Sequence, residues 1–415
     1  MVRSYHIHFK ELSSNIKIFL AGNAIQGVGL SIYALLFNLY LKELGYGESS
    51  IGNLISTTSM GISLMAIPAA FIIDKFHVKH LVVTGMILSS LFYFIQILNT
   101  NESSLFAFGL LASMFQALFN ISISPFYLRN STPQVRVYLF TLNSGLSMMA
   151  HLVGYIIGGY LPEVVRHFYP EMNSIALYRS SIMLSLGVVF LSNLMFIRIK
   201  RVSIPKSKKR LFEGFKEKEW STLSKLIVPK LCFAFGGGMI VPFMNLFLKE
   251  KFDLSTKMIG ISYALLQLFI FAGIFITPAL IKKTTQLRFI MLTATLAIPF
   301  LLTMGMTGNI GLVLVCFFFR GMLMNMSSPI TSMFEMEHIG EQECVFASAV
   351  ILFFYHLVYT ASIRLGGHLI ENYSFGPTFF IAAVFYGLAI VLYHHFFKKE
   401  DEVVARNEYS FREAA

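Results

Sequence analysis

Two arginines, Arg320 and Arg364, and two histidines, His151 and His356, stand inside long apolar runs of a 415-residue chain. A charge at half depth in a membrane costs several kcal/mol, roughly 2.5 to 3.5 on insertion scales, so such a residue usually faces a cavity or a partner. The sequence offers these arginines no partner of opposite sign. All 22 Asp and Glu residues can be placed, and none is read as falling in the middle of an apolar run; Glu335 and Asp74 come nearest, each at an end. Of the 33 Lys and Arg residues, only Arg320 and Arg364 are read as lying well inside. The expectation is a cavity of positive or neutral polarity that suits an anionic or zwitterionic small molecule better than a hydrophobic cation. The alternative is that Arg320 bonds helix carbonyls while Arg364 reaches toward headgroups. His151 and His356 add two side chains of a kind able to titrate near neutrality, and are either proton-coupling groups or packing residues. Gln116, Asn120, Gln267 and Asn325 complete the polar set, to bind cargo or to tie helices together. At helical spacing Asn143, Ser147 and His151 share one face, and His356, Thr360 and Arg364 share one quadrant of another.

The elements that position these residues follow from composition. Apolar residues make up 55% of the chain and charged ones 13%, with 42 Phe and 21 Met. That is too apolar for a soluble protein of this length and is expected of a polytopic, all-α membrane protein. A spanning helix needs about 20 mostly apolar residues, and twelve fit: 18–41, 50–73, 80–99, 104–126, 137–160, 178–197, 224–248, 257–281, 288–306, 309–334, 345–370 and 375–397. The runs are continuous and show no barrel-type alternation. Nine Lys or Arg lie between Arg198 and Lys218, and positive-inside asymmetry puts this segment in the cytoplasm with both termini beside it. Residues Glu335, Glu337, Glu341 and Glu343 form an acidic turn after the tenth span, against the trend, but acids weigh little in topology. Much of the +11 charge is therefore orientation, and no nucleic-acid partner is expected. Trp220 and its basic neighbours suit an interfacial helix. Residues 1–17 are polar and the first apolar run is full length, so no cleavable leader is expected. Cys232, Cys316 and Cys344 read as packing residues, with no disulfide, metal or cofactor expected.

The chain is also duplicated. Asn38-Leu-Tyr-Leu-Lys-Glu43 and Asn245-Leu-Phe-Leu-Lys-Glu250 are near copies 207 residues apart. Ile51-Gly52 stands opposite Ile259-Gly260, Asn120-Ile-Ser-Ile-Ser-Pro125 opposite Asn325-Met-Ser-Ser-Pro329, and Gly158-Gly159 opposite Gly366-Gly367, all at offsets between 204 and 208. So long a repeat reads as two homologous halves. The expected divisions are a six-helix bundle over 1–198, a basic linker over 199–220, a second bundle over 221–398 and a cytoplasmic tail over 399–415.

Between the second and third spans runs Ala69-Ala-Phe-Ile-Ile-Asp74-Lys75-Phe-His-Val-Lys79. It resembles the signature loop of the major facilitator superfamily, Gly-x-Leu-Ala-Asp-Arg-x-Gly-Arg-Arg, with Asp74, Lys75 and Lys79 on its acidic and basic positions. Gly145, Gly154, Gly158 and Gly159 are similar to the glycine-rich fifth-helix motif of that superfamily's antiporters, without its proline. The tenth span and the repeated hexapeptide resemble a bacterial efflux branch. The resemblance implies the major facilitator fold, two pseudo-symmetric six-helix bundles around a central cavity that opens alternately to either side. It also implies a latch at Asp74, Lys75 and Lys79, helped by charge and helix-dipole contacts, and a monomer as the working form. Small residues let helices approach and slide, and Ser147, Gly154 and Gly158 form one smooth stripe, serving movement or simply tight packing.

The expected function is secondary active transport of a small organic solute by alternating access, as an ion-coupled exporter or antiporter in the cell membrane, with protons as the coupling ion. Uptake of an anionic nutrient and a transporter-like sensor are the alternatives. An enzyme is not expected. Only three Asp are present, Asp74, Asp253 and Asp401, without a catalytic His-Asp constellation, and no phosphate-cradling Gly-Lys loop points to ATP.

Overall fold

The computed structural model describes residues 12–200, 217–282, 284–339 and 344–413. Among the described residues every regular element is helical, and twelve segments are long and apolar enough to cross a membrane. The first six are unbroken: α1 (Ser14–Glu43), α2 (Glu48–Lys75), α3 (Val78–Leu98), α4 (Glu102–Asn130), α5 (Pro133–Phe168) and α6 (Ser174–Ile197). Their starts have local causes. Ser13 accepts from the Ile16 amide, Asn101 from Ser103 and Ser104, and Asn173 from Ala176, each satisfying a donor the first helical turn leaves open. Gly45, at φ +88, takes the left-handed turn after α1 that a side chain would resist.

The remaining elements are α7 (Glu217–Gly238), a 3-10 turn over Val241–Phe243, α8 (Met244–Phe252), α9 (Thr256–Ile281), α10 (Gln286–Met306), α11 (Ile310–Met326), α12 (Ser328–Ile339), α13 (Cys344–Tyr373) and α14 (Phe375–Glu413). Two expected spans are therefore interrupted. The seventh breaks after Gly236, Gly237 and Gly238, where three weak helix formers precede Pro242, which has no amide to donate. The tenth breaks at Ser327, and Pro329 takes the second place of α12, where a missing N–H is harmless. Thr277 donates to the Met326 carbonyl freed at this break, at 3.2 Å. Because α12 restarts there, Glu335 and Glu337 sit in a helix and not in an acidic turn. Glu341, Glu343 and residues 201–216 of the basic linker lie outside the described residues, as does the side chain of Asp74.

By contact the chain forms two units, Met1–Lys209 with Asn245–Ala264, and Arg210–Met244 with Leu265–Ala415. In the first, α1 packs on α5 and α6, and α3 on α4 and α6. In the second, α7 packs on α13 and α14, and α10 on α11 and α14. These are the same pairings, transposed by six spans. Lipid tails are as apolar as leucine, so cohesion comes from close packing and polar bonds. The first unit stacks Phe19 on Phe119 and Phe126 and meets Tyr127 and Phe196 edge-on, with centroids 4.5 to 5.8 Å apart. The second gathers Phe334, Tyr393 and Phe397 around Leu226 and Ile290. Such ring pairs contribute about 0.5 to 1.5 kcal/mol each beyond their area.

Candidate functional site

In the first unit the polar residues form a neutral network. Asn23 on α1 donates to the Asn143 side-chain oxygen at 3.0 Å and to Ser147 Oγ at 3.4 Å, and the Tyr127 hydroxyl donates to Asn143 at 2.7 Å. Helices α1, α4 and α5 are thereby tied. Deeper in the same helix, Gln26 donates to Gln116 Oε1 at 3.2 Å, Ser89 to the same oxygen at 3.1 Å, and Gln116 to Asn120 at 3.2 Å. The expected face of Asn143, Ser147 and His151 thus meets α1. His151 is half-buried opposite Gly27, where an added methyl would lie 3.7 Å from its ring. The glycine stripe lets this happen. A methyl at Gly154 would come within 2.6 Å of the Val28 carbonyl, and one at Gly158 within 3.2 Å of the Ile32 backbone.

The two copies of the repeated hexapeptide meet within this same unit. Asn38 donates to Asn245 at 3.0 Å, and Asn245 donates to the Leu35 carbonyl at 2.9 Å. Lys42 pairs with Glu48 and, at 3.0 Å, with Glu250. Gly159 faces Gly260, where a methyl would stand 3.1 Å from Cα, and the Tyr178 hydroxyl and Thr256 share a 2.7 Å hydrogen bond.

The second unit holds an ion pair at a cavity. Lys230 on α7 donates to both Glu335 oxygens on α12, at 2.6 and 2.9 Å, with the two side chains 25% and 11% exposed. This corrects one expectation: Lys230 is a further cation inside a span, whereas Glu335, near the end of its span as expected, is buried there. A paired ion escapes much of the penalty of burial. Lys230, Ser332, Glu335, Ser348, Tyr355 and His356 line a cavity of about 290 Å³, with Met336, Ile339, Ile351 and Leu352 as its apolar wall. Tyr355 connects His356, at 5.3 Å between centroids, to Tyr359, stacked at 5.9 Å. Arg320 is 7% exposed and lies over the Tyr386 ring at 5.7 Å with an Nη2 bond to its hydroxyl; its Nε has no hydrogen-bond partner among the described residues.

Of the expected site residues, His356 therefore lines the cavity and Arg320 stands in the neighbouring tyrosine cluster. Asn325 bonds the Gly321 carbonyl of its own helix at 2.8 Å. Gln267 and Arg364 are half-buried and do not line the cavity. Lys75 is exposed at the end of α2, and Lys79 is half-buried in α3. Sequence reasoning missed Lys230, and singled out Glu335 without seeing its partner. The signal was the repeat itself: Lys230 follows Asn23 by the same 207 residues that separate Asn245 from Asn38, and Asn23 is a polar residue within α1.

Residues 19–363 match the sequence profile of the Major Facilitator Superfamily. No curated protein matches the chain by sequence. Among solved structures, the chain is similar to a bacterial homologue of the human lysosomal transporter Spinster in an inward-facing, unoccupied conformation, at TM-score 0.73 and 15% identity over 91% of this chain and 97% of that one. It is similar to the nucleoside transporter NupG, at 0.71 and 12% over 93% and 99%. It is also similar to a bacterial homologue of the iron transporter ferroportin in an inward-facing state, at 0.71 and 14% over 91% and 97%.

Proposed function

We propose that this protein, which belongs to the Major Facilitator Superfamily and is a secondary transporter, exports a small anionic or zwitterionic, amphipathic compound by alternating access. It works as a monomer in the cell membrane with both termini in the cytoplasm, driven by an ion gradient. The observation that carries the cargo polarity is Arg320, a buried guanidinium that bonds a hydroxyl and lies over a ring and whose Nε has no hydrogen-bond partner among the described residues. A buried donor without a partner calls for an acceptor, and an anionic group supplies the strongest kind. Export, and with it antiport, rests on the likeness of the tenth span and of the repeated hexapeptide to an efflux branch. Protons are the coupling ion, carried by His356 or His151; His356 lines the cavity of the second unit. Asp74, Lys75 and Lys79 serve as the latch.

The test is flux in proteoliposomes, with and without a pH gradient, over matched anionic, zwitterionic and cationic solutes. Solutes of at least one of the first two classes should move and those of the third should not, and Arg320→Gln should lower flux at least tenfold in protein that still purifies as a folded monomer. Preferential movement of cations would overturn the reading. His356→Gln should flatten the pH dependence of flux; dependence unchanged there and in His151→Gln removes both as proton carriers.

A further inference from the structure

The cavity beside Lys230 and Glu335 constrains what enters it by charge alone. The Lys230 ammonium and the Glu335 carboxylate satisfy one another through two short contacts. Neither side chain is more than a quarter exposed. A monoanion that takes Lys230 strands a buried carboxylate, and a monocation that takes Glu335 strands a buried ammonium. Removing one partner of a buried pair is strongly unfavourable, whereas giving each ion a new partner is not. A zwitterion does the latter: its carboxylate meets Lys230 and its ammonium meets Glu335. With its own charges only a few ångströms apart, a compact zwitterion closes a ring of four alternating charges. Ser332, Ser348 and Tyr355 bring hydroxyls to the same space, and Met336, Ile339, Ile351 and Leu352 form an apolar wall beside the charges. The volume of about 290 Å³ falls at the small end of ligand sites, which run from about 300 to 1,000 Å³.

From this we infer that the cavity between α7, α12 and α13 binds a small zwitterion of the α-amino-acid type carrying an apolar substituent, with Lys230 receiving its carboxylate and Glu335 its ammonium. This assignment rests on the transporter reading and narrows it. The site lies within the second unit and uses residues distinct from Arg320.

The experiment uses the full-length protein in detergent and in proteoliposomes. Its probes are L-leucine, L-methionine and L-phenylalanine, each beside its N-acetyl derivative, which is an anion, and its methyl ester, which is a cation. Binding is read by thermal shift and transport by counterflow. At least one free amino acid should bind and exchange, with both of its derivatives at least tenfold weaker. Glu335→Gln should invert the order, because an N-acetyl anion on Lys230 then strands nothing. The charge swap Lys230→Glu with Glu335→Lys keeps a pair and should keep the preference for zwitterions, which guards against a single variant that fails to fold. Binding of the N-acetyl anion as tight as that of the free amino acid, or no binding by any free amino acid, overturns the assignment. If anions other than these are transported while no amino acid binds, the assignment fails and the transporter reading survives; loss of all solute movement is failure of the latter.

Discussion

The two units solve the same problem with opposite chemistry. Asn23 and Lys230 are repeat counterparts at an offset of 207, and Asn130 and Glu335 stand 205 apart, within the range of the other repeat pairs. In the first unit the two positions are neutral and look elsewhere: Asn23 to Asn143 and Ser147, Asn130 to Asn15 at 3.0 Å. In the second they carry opposite charge and bind each other. A neutral amide network holds helices in place whatever the charge of the solute beside it. A buried ion pair adds the requirement that its partners be replaced together.

This contrast can be broken most forcefully at Lys230. Lys230→Ala leaves Glu335 buried without its partner and should destabilise the protein by about 3 kcal/mol or more, read as a lowered denaturation midpoint in detergent. Lys230→Met combined with Glu335→Leu should recover most of that loss, since apolar replacement of a buried pair is often neutral. A double variant as unstable as the single one would mean that the pair is not the cause. In the first unit the greater sensitivity should be to added bulk. Gly154→Ala forces a methyl toward the Val28 carbonyl and should cost about 1 to 3 kcal/mol. Gly145, in the same helix but with nothing within 4 Å of an added methyl, is the control, and its alanine variant should be neutral or stabilising by about 0.5 to 1 kcal/mol. Equal responses at the two glycines would remove close approach as the reason for the stripe. The smallest loss belongs to Asn23→Ala, about 0.6 to 1 kcal/mol, because Tyr127 continues to hold Asn143.

Most of the fold was legible because a spanning helix announces itself by length and hydropathy, and because Asn38 and Asn245 fix the register of the two halves. The facing of Asn143, Ser147 and His151 toward one neighbour followed from helical spacing alone. The charged pair did not, for two local reasons. Lys230 stands near the start of the expected seventh span, 224–248, just past its basic approach, where a cation is easily passed over. Glu335 falls just beyond the expected end of the tenth span at residue 334, and the break at Ser327 that gives it a helix of its own was not expected. A break inside an apolar run cannot be read without the contacts that support it, such as Thr277 on the Met326 carbonyl.

The meeting of Asn38 with Asn245 has a bearing on ancestry. In an isologous association of two identical subunits, a residue on the twofold axis meets its own copy, and here an asparagine bonds its own duplicate. Such a bond is what two six-span precursors would form on pairing, now kept inside one polypeptide. The lysines of the two copies differ in their partners: Lys42 serves both Glu48 and Glu250, while its duplicate Lys249 turns to Asp253 at 3.2 Å. The shared asparagine did not diverge, and one substitution there would strike an inheritance common to both copies.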